Sequence, residues 1–371
     1  MEDKGINAFM ILLRAGLWNS QPAHNGVFPL SDAEWGKVFN LAVMQTVDGL
    51  VYDGILKLPK ELLPPMELQF KWTVRVDQIE RVNKRKSGVL EKLLMLFQEH
   101  AIYPYLLKGE GLGNLYLKPE HRISGDIDLY FASRKEYDKA NQLIQSQGIQ
   151  VGKGALESSF YSFMNVEIEH HSRMMDILNP FKKGKLQKLE MLERSKDLYY
   201  PLHQVNVRTP SPFLTHLQAN AHILKHFLGF GIGLRQFCDI ARICNSLSKS
   251  IDGLALRKVY ADLHMLKWMD LVHVFLVDYL GLRRDAVPFD YVNHRDSTWL
   301  FKEILQVGNF GFYDNRGFNK SDVEPVAHVK RNSVFSRVLP HWRRSIQLAP
   351  FETICFPIVK LVDQIQGRKS S

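Results

Sequence analysis

The stretch YLLKGEGLGNLYLKPEHRISGDIDLYF, residues 105–131, decides the fold of this chain. It begins with an apolar run ending in Lys108-Gly109, continues through a glycine-rich segment, and closes with two acids that alternate with apolar residues. Successive side chains of a strand point to opposite faces, so Asp126 and Asp128 are predicted to share one face of a strand over 125–131. Aspartate is uncommon in strands, which makes the pair notable. Two carboxylates spaced in this way can hold a divalent cation.

A second acidic strand is predicted further along the chain. Residues 158–164 and 165–171 read as the two strands of a hairpin. In the second strand apolar side chains alternate with polar ones, which places the polar set on one face: Glu167, Glu169 and His171. The adjacent His170 and His171 would face opposite ways, so this pair does not predict a zinc site. The hairpin therefore supplies a third carboxylate to follow the two aspartates.

Composition sets broad limits on the class of protein. The chain has 371 residues and a formal net charge of +9, which favours anionic partners such as nucleotides or nucleic acid. Three cysteines without a CxxC motif argue against a disulfide framework or a zinc site. No uninterrupted apolar run approaches the roughly 18 residues of a membrane span. These features together predict a cytoplasmic protein without a membrane span.

The pattern of apolar residues predicts an α+β fold in three parts. Residues 1–100 read as an N-terminal helical segment, residues 101–206 as an α/β core with a small mixed sheet, and residues 207–371 as a C-terminal helical domain. Ser31 and Ser133 are expected to cap helices. The stretch 172–206 is predicted to be a linker, because Pro180 and Gly184 interrupt any regular element there. The stretch 284–320 is predicted to be rich in loops.

Several charged and histidine pairs have more than one interpretation. His222 and His226, four residues apart on a predicted helix, have a spacing that suits a zinc site, but no Glu-containing zincin pattern accompanies them. They are interpreted as core histidines, or as contacts to phosphate or base in a cleft between domains, with zinc as the lesser alternative. Arg235 and Asp239 have the same spacing and are either an ion pair or cleft residues. Two basic stretches are expected to form solvated helix faces, with contact to nucleic acid as the lesser alternative: Arg81, Lys84, Arg85 and Lys86, and the segment 334–362 with Arg337, Arg343 and Arg344.

The order of the motifs is that of metal-dependent nucleotidyl transfer. A glycine-rich turn precedes an Asp-Ile-Asp strand, and a carboxylate on a later strand follows. Phosphoryl-type transfer depends on positioning and charge neutralisation more than on covalent chemistry by the protein. Divalent cations held by carboxylates would supply that neutralisation, and a glycine-rich turn lets backbone N–H groups approach the phosphates.

The same residues resemble a known family. The segments LLKG (106–109), Arg122, GDID (125–128) and VEIEHH (166–171) look like the uncharacterised nucleotidyltransferase family of the polymerase-β-like superfamily. The helical stretch from His222 to Asp239 is similar to the helical half of the same family. The resemblance covers roughly residues 35–310.

The resemblance implies an activity and a set of site residues. A member of this family would move a nucleoside monophosphate from an NTP to a hydroxyl of a small molecule, RNA or protein, with release of pyrophosphate. Mg²⁺ or Mn²⁺ would be the cofactor, held by the catalytic carboxylates Asp126, Asp128 and Glu169, with Glu167 as the competitor for the third place. Glu169 would also accept the proton of the attacking hydroxyl. Nucleotide contacts would come from Lys108, Gly109, Gly111, Arg122, Gly125, His222, Arg235 and Asp239.

Two departures from the wider superfamily keep other functions open. Glu110 stands where Ser or Gly is usual, and 16 residues separate Gly109 from Asp126. A catalytically degenerate protein that binds nucleotide and serves as an interaction module is the main alternative. A toxin-type enzyme that modifies tRNA or protein would use the positive net charge. A helical scaffold with a coincidental Asp-Ile-Asp strand is the third.

Overall fold

Four helices precede the sheet, and their starts follow local rules of the sequence. The computed structural model describes residues 3–23, 26–229, 231–292, 296–313, 342–366 and 368. The first helices are α1 (Lys4–Trp18), α2 (Asp32–Met44), α3 (Asp48–Ile55) and α4 (Met66–Glu99). The Ser31 side chain accepts a hydrogen bond from the Glu34 backbone while the Glu34 carboxylate accepts one from the Ser31 N–H. This capping box confirms the predicted start of α2.

Helix α4 carries the first basic stretch, and one of its residues is not solvated. Arg81, Lys84 and Arg85 are exposed, as the sequence predicts. Lys86 is buried, so the prediction of a solvated face is wrong at this position. Its ammonium donates hydrogen bonds to the backbone carbonyls of Ser124 (2.5 Å) and Gly125. Lys86 thereby ties the long helix to the loop that enters the acidic strand.

The sheet has five strands in the order β1-β2-β5-β4-β3, with β2 and β5 parallel and the other neighbours antiparallel. The predicted α+β class with a small mixed sheet and helices at both ends is therefore confirmed. The elements of this region are β1 (Tyr105–Leu106), α5 (Glu110–Gly113), β2 (Ile127–Tyr130), α6 (Arg134–Ser146), β3 (Gly152–Lys153), β4 (Ser159–Phe163) and β5 (Val166–His171). The hairpin of β4 and β5 and the Ser133 cap of α6 are as expected.

The acidic strand is shorter than the sequence suggests. It starts at Ile127, so Asp126 lies just before β2 and not within it. The reason is the contact with α4, because the Ser124 and Gly125 carbonyls bind the Lys86 ammonium instead of a neighbouring strand. Asp126 thus belongs to the loop that enters the strand, while Asp128 is held by the sheet.

The linker expected over 172–206 is structured, so that prediction is wrong. It contains helix α7 (Lys183–Glu193) and strand β6 (Leu198–Leu202), which pairs with β7 (Val205–Thr209) in a separate two-stranded sheet. The supposed breakers are accommodated at element starts: Pro180 opens a 3-10 turn, where its missing N–H is not needed, and Gly184 lies in the first turn of α7.

The C-terminal helices share a hydrophobic core with the N-terminal ones. They are α8 (Pro212–Gly229), α9 (Leu234–Leu247), α10 (Gly253–Asp262), α11 (Leu266–Asp278), α12 (Thr298–Val307) and α13 (Pro350–Ile365). Helix α12 lies within the region expected to be loops. One core joins α1–α3 to α8–α12, and a second lies between α4, α6 and the five-stranded sheet. The division into three parts stays a prediction. None of the described helices has the length and apolar character to cross a bilayer.

Helix α13 anchors the loop that follows the sheet. The carboxylate of Glu352 is buried and accepts hydrogen bonds from the backbone N–H groups of Leu178 (2.6 Å) and Asn179 (3.2 Å). Of the basic segment predicted over 334–362, residues 334–341 with Arg337 lie outside the described residues. Arg343 and Arg344 are exposed.

Two core histidines are neutral at physiological pH. His170 in β5 has both ring nitrogens engaged, with Tyr161 Oη at 2.8 Å and Asn141 Oδ1 at 2.8 Å. His216 in α8 lies 3.0 Å from the hydroxyl of Tyr260. Burial lowers the pKa of each to about 3. An unfolded histidine takes up a proton near pH 6.5, so the folded state binds fewer protons below that pH and becomes less stable there.

We therefore expect the free energy of unfolding to fall as the pH falls from 7 to 5. Each of these histidines should account for about 2 kcal/mol at pH 5. Urea unfolding at both pH values measures the difference. The difference in unfolding free energy between pH 7 and pH 5 should be about 2 kcal/mol smaller in His170→Asn than in the wild type. It should be unchanged in His100→Gln, because His100 is exposed. An equal difference in His170→Asn and the wild type would contradict the assignment.

Candidate active site

The parallel pairing of β2 and β5 brings three metal-binding side chains together. The register sets Asp128 directly beside Glu169. His171 Nε2 lies 2.7 Å from Asp128 Oδ1 and 3.7 Å from Glu169 Oε2. Potential ligand atoms of all three residues lie within 4.8 Å of one another. Carboxylate oxygens and an imidazole nitrogen are suitable donors for a divalent cation, so the residues present fit the metal that the sequence implies.

Asp128 and Glu169 face a cavity of about 660 Å³ between the sheet and the helices α8 and α9, and His171 lies beside them without lining it. Most of the residues predicted from the sequence line it: Lys108, Gly109, Arg122, Gly125, Asp126, Asp128, Glu169, His222, Arg235 and Asp239. Glu167 also lines it. Gly111 does not, and a side chain there would point toward Leu106 and Thr209. The cavity has the size of a small-molecule site.

Lys108 links the sheet side of the cavity to the helical side. Its ammonium lies 3.3 Å from Asp128 Oδ1 and 3.3 Å from His222 Nδ1. Burial alone would lower the pKa of Lys108, but the nearby carboxylates of Asp128 and Asp176 raise it above its usual value. Lys108 therefore carries a positive charge beside the carboxylate cluster.

Asp176 is a site residue that the sequence reasoning missed. It follows β5, and its carboxylate lies 2.8 Å from His222 Nδ1 and 3.3 Å from Lys225 Nζ. Burial lowers the pKa of His222 to about 4, assisted by the charge of Lys108, so its ring is neutral at pH 7. Asp176 lies in the stretch interpreted as a linker, which is why no sequence pattern singled it out. Through these contacts Asp176 holds His222 and Lys225 of α8 in place beside Lys108.

The turn at Gly109 needs glycine. Its φ of +64° and ψ of −120° are rarely adopted by other residues, and a Cβ there would lie 3.3 Å from the Asp126 carbonyl. Glu110, the departure from the superfamily pattern, turns away. Its carboxylate accepts hydrogen bonds from Ser124 Oγ (2.9 Å) and Ser87 Oγ (3.2 Å), and it is not among the residues that line the cavity.

Arg122 forms an ion pair with the carboxylate of Asp239 in α9. Its guanidinium makes two hydrogen bonds of 2.7 Å to Asp239, and both side chains are buried. Tyr116 donates a further hydrogen bond of 2.7 Å to the same carboxylate. Burial by itself would lower the pKa of Arg122, but the carboxylate of Asp239 has the larger effect and raises this pKa above its usual value. The i, i+4 spacing suggested an ion pair of Arg235 with Asp239, whereas the structure pairs Asp239 with Arg122.

Arg235 differs from the other cations of the cavity. Its Nη1 donates to the Ile123 carbonyl at 2.7 Å, its Nε is buried without a hydrogen-bond partner among the described residues, and none of their carboxylates forms a salt bridge with it. Burial, together with the charge of Arg122, lowers the pKa of Arg235 to about 10, so it remains protonated at pH 7. The carboxylates of Asp239 and Asp126 offset only part of this effect. A buried charge without a direct ion pair is costly. An anionic ligand group beside Arg235 would relieve that cost.

Residues 31–281 match the family described as uncharacterised nucleotidyltransferase. The chain belongs to this nucleotidyltransferase family. The match includes β2, β5, α8 and α9, which carry the side chains described above, and it confirms the resemblance seen in the motifs. No curated protein sequence matches the chain. Among solved structures, an antigenic nucleotidyltransferase-like protein from Paracoccidioides brasiliensis is similar, with 16% identity over 56% of this chain and 94% of that chain and a TM-score of 0.32.

The glycine turn of this nucleotidyltransferase can be tested with a matched pair of variants. Gly109→Ala should lower the free energy of unfolding by about 1–3 kcal/mol, because alanine is strained at this positive φ. Gly113→Ala, at the end of the short helix α5 that follows Gly109, has room for a Cβ and should cost far less. Chemical denaturation of both variants measures the effect. Equal losses would show that the backbone conformation at Gly109 is not the cause.

The buried pair of Arg122 and Asp239 calls for a double-mutant cycle. Arg122→Gln and Asp239→Asn should each lower the free energy of unfolding by about 3–5 kcal/mol, because each leaves the partner's charge buried and unpaired. The double variant should cost clearly less than the sum, which gives the coupling between the two side chains. If Arg122→Gln instead leaves stability unchanged and weakens nucleotide binding, Arg122 is a phosphate ligand as the sequence suggested.

Proposed function

We propose that this protein transfers a nucleoside monophosphate from an NTP to a hydroxyl acceptor and releases pyrophosphate, with a divalent cation as cofactor. Membership of the nucleotidyltransferase family supports the class of reaction. The observation that carries the proposal is that Asp126, Asp128 and Glu169 line one cavity together with Lys108 and with Arg235, whose guanidinium forms no salt bridge with a described carboxylate. Carboxylates for a cation and buried cations for an anion are what a nucleoside triphosphate with its metal requires.

Each side of the cavity has a separate role in this proposal. Asp126, Asp128 and Glu169 would hold the cation, which when bound neutralises phosphate charge and makes the acceptor hydroxyl more acidic. Lys108, the backbone at Gly109 and Arg235 would bind the triphosphate. Glu169, which accepts a hydrogen bond of 2.7 Å from Ser158 Oγ, would accept the proton of the hydroxyl. His222 and Asp176 would orient Lys108 from the helical side.

The acceptor is a hydroxyl of a small molecule, RNA or protein. The cavity would accommodate a nucleotide together with a small acceptor, and the net charge of +9 would attract an anionic one. The alternative of a nucleotide-binding protein without catalysis rested on Glu110. Since its carboxylate is engaged with Ser87 and Ser124, it does not oppose the phosphates in the cavity. The contact of Glu110 with the two serines therefore favours an active enzyme over a nucleotide-binding protein without catalysis.

Transfer of label from each of the four α-labelled NTPs to RNA, protein extract and small sugar-like acceptors tests the proposal. Asp126→Asn, Asp128→Asn and Glu169→Gln should each lower the rate at least about a hundredfold, the scale of losing an electrostatic contact to the transition state. Glu99→Gln, an exposed residue at the end of α4, serves as the control and should leave the rate unchanged.

The same assay separates the remaining assignments. A large loss in Glu167→Gln with little loss in Glu169→Gln would make Glu167 the third carboxylate. Calorimetry that detects NTP binding, alongside no transfer to any acceptor, would replace the enzyme by the non-catalytic alternative. NTP binding that is unaltered in the Asp126→Asn/Asp128→Asn double variant would rule out the metal-carboxylate mechanism.

A further inference from the structure

We propose that His171 is a metal ligand in its own right, and that the cation site therefore selects a transition-metal ion such as Mn²⁺ over Mg²⁺. The inference rests on the proposed function and deepens it, because it concerns the identity of the cofactor. The sequence pattern predicts a cation held by carboxylates alone, and it argues against a zinc site at His170 and His171.

The position of His171 follows from the strand. Glu169 and His171 are two residues apart in β5, so their side chains share one face of the strand. Parallel pairing with β2 then sets Asp128 beside Glu169. His171 is thus brought to the carboxylates by the backbone, and its place does not depend on a flexible loop.

The distances suit shared coordination of one ion. Donor atoms bound about 2.1 Å from a metal lie about 3 Å apart when they are neighbours in its coordination shell. The imidazole nitrogen Nε2 lies 2.7 Å from Asp128 Oδ1 and 3.7 Å from Glu169 Oε2, on either side of that value. The three side chains need only small adjustments to meet at one cation.

The donor set distinguishes between metals. Mg²⁺ prefers oxygen ligands in near-ideal octahedral geometry and keeps several waters. Imidazole suits first-row transition metals, whereas Mn²⁺ also accepts carboxylate and water ligands. Two carboxylates and one imidazole therefore form a mixed nitrogen and oxygen site, in which Mn²⁺ gains from the nitrogen ligand and Mg²⁺ does not.

His170 and His222, two other histidines near the site, are engaged elsewhere. Both ring nitrogens of His170 have partners on the opposite face of the sheet, at Tyr161 and Asn141. His222 has its Nδ1 2.8 Å from the carboxylate of Asp176, and the Lys108 ammonium lies between it and Asp128. His226 also lines the cavity, and its Nδ1 has no hydrogen-bond partner among the described residues. A nitrogen signal from a bound metal ion is therefore assigned to His171 only if it disappears in His171→Gln and persists in His226→Gln.

Mn²⁺ alone, added to the full chain without nucleotide, tests the inference. Electron paramagnetic resonance gives the affinity from the loss of the free-ion signal, and pulsed measurements detect nitrogen coupled to the bound ion. We expect histidine nitrogen coupling in the wild type, with a change on ¹⁵N-histidine labelling. In His171→Gln the coupling should vanish and Mn²⁺ should bind at least about tenfold more weakly.

Matched variants make the outcome specific. His171→Asp supplies an oxygen ligand and should bind Mg²⁺ better relative to Mn²⁺ than the wild type does. His222→Gln should keep the nitrogen coupling, as should the exposed control His100→Gln. Absence of coupling in the wild type, its persistence in His171→Gln or its loss in His222→Gln would each overturn the inference.

The test also separates this inference from the proposed function. Nitrogen coupling from His171 without turnover of any NTP would uphold the metal site and reject the transfer reaction. Label transfer that depends on Mg²⁺, in a protein whose bound Mn²⁺ shows no nitrogen coupling, would uphold the reaction and reject the role of His171.

Discussion

The parallel pairing of β2 with β5 is the contact on which the candidate site depends. It sets Asp128 beside Glu169, and the alternation of side chains then adds His171 to the same face. The opposite face of the two strands is filled by Ile127, Leu129 and Ile168, which pack against α4 and α6. Because that face is buried, a shift of register by one residue would place the acids in the hydrophobic core, so the acidic face has a single position.

Charge compensation organises the rest of the cavity. Lys108 contacts Asp128, Lys225 contacts Asp176, and Arg122 is held by Asp239. The second and third pairs join segments that flank the sheet to α8 and α9, so they hold the two sides of the cavity together. Arg235 lacks such a carboxylate among the described residues and is the cation best placed for an anionic ligand. The pair of Arg122 and Asp239 shows that a cation in the same cavity as the glycine turn can have a structural partner instead.

Local patterns predicted much of this site, and long-range contacts account for what they did not. The hairpin of β4 and β5, the capping residues Ser31 and Ser133, and the acids of the two strands follow from periodicity and capping. Lys86 was misread because its position within a basic stretch resembles a surface, whereas its ammonium binds two carbonyls of a distant loop. Asp176 escaped notice because its partners lie 46 and 49 residues away.

The sequence by itself determined the α+β class, the family and the residues that carry the candidate chemistry, because strand alternation and short motifs are local properties of the chain. Only the tertiary structure decided which of those residues meet. It placed Asp126 in a loop, paired Arg122 with Asp239 in a buried ion pair, and directed the Glu110 carboxylate away from the cavity. It also brought His171 to Asp128. The physical reason is that each of these contacts joins elements far apart in sequence, and the folding of the sheet against the helices sets their distances.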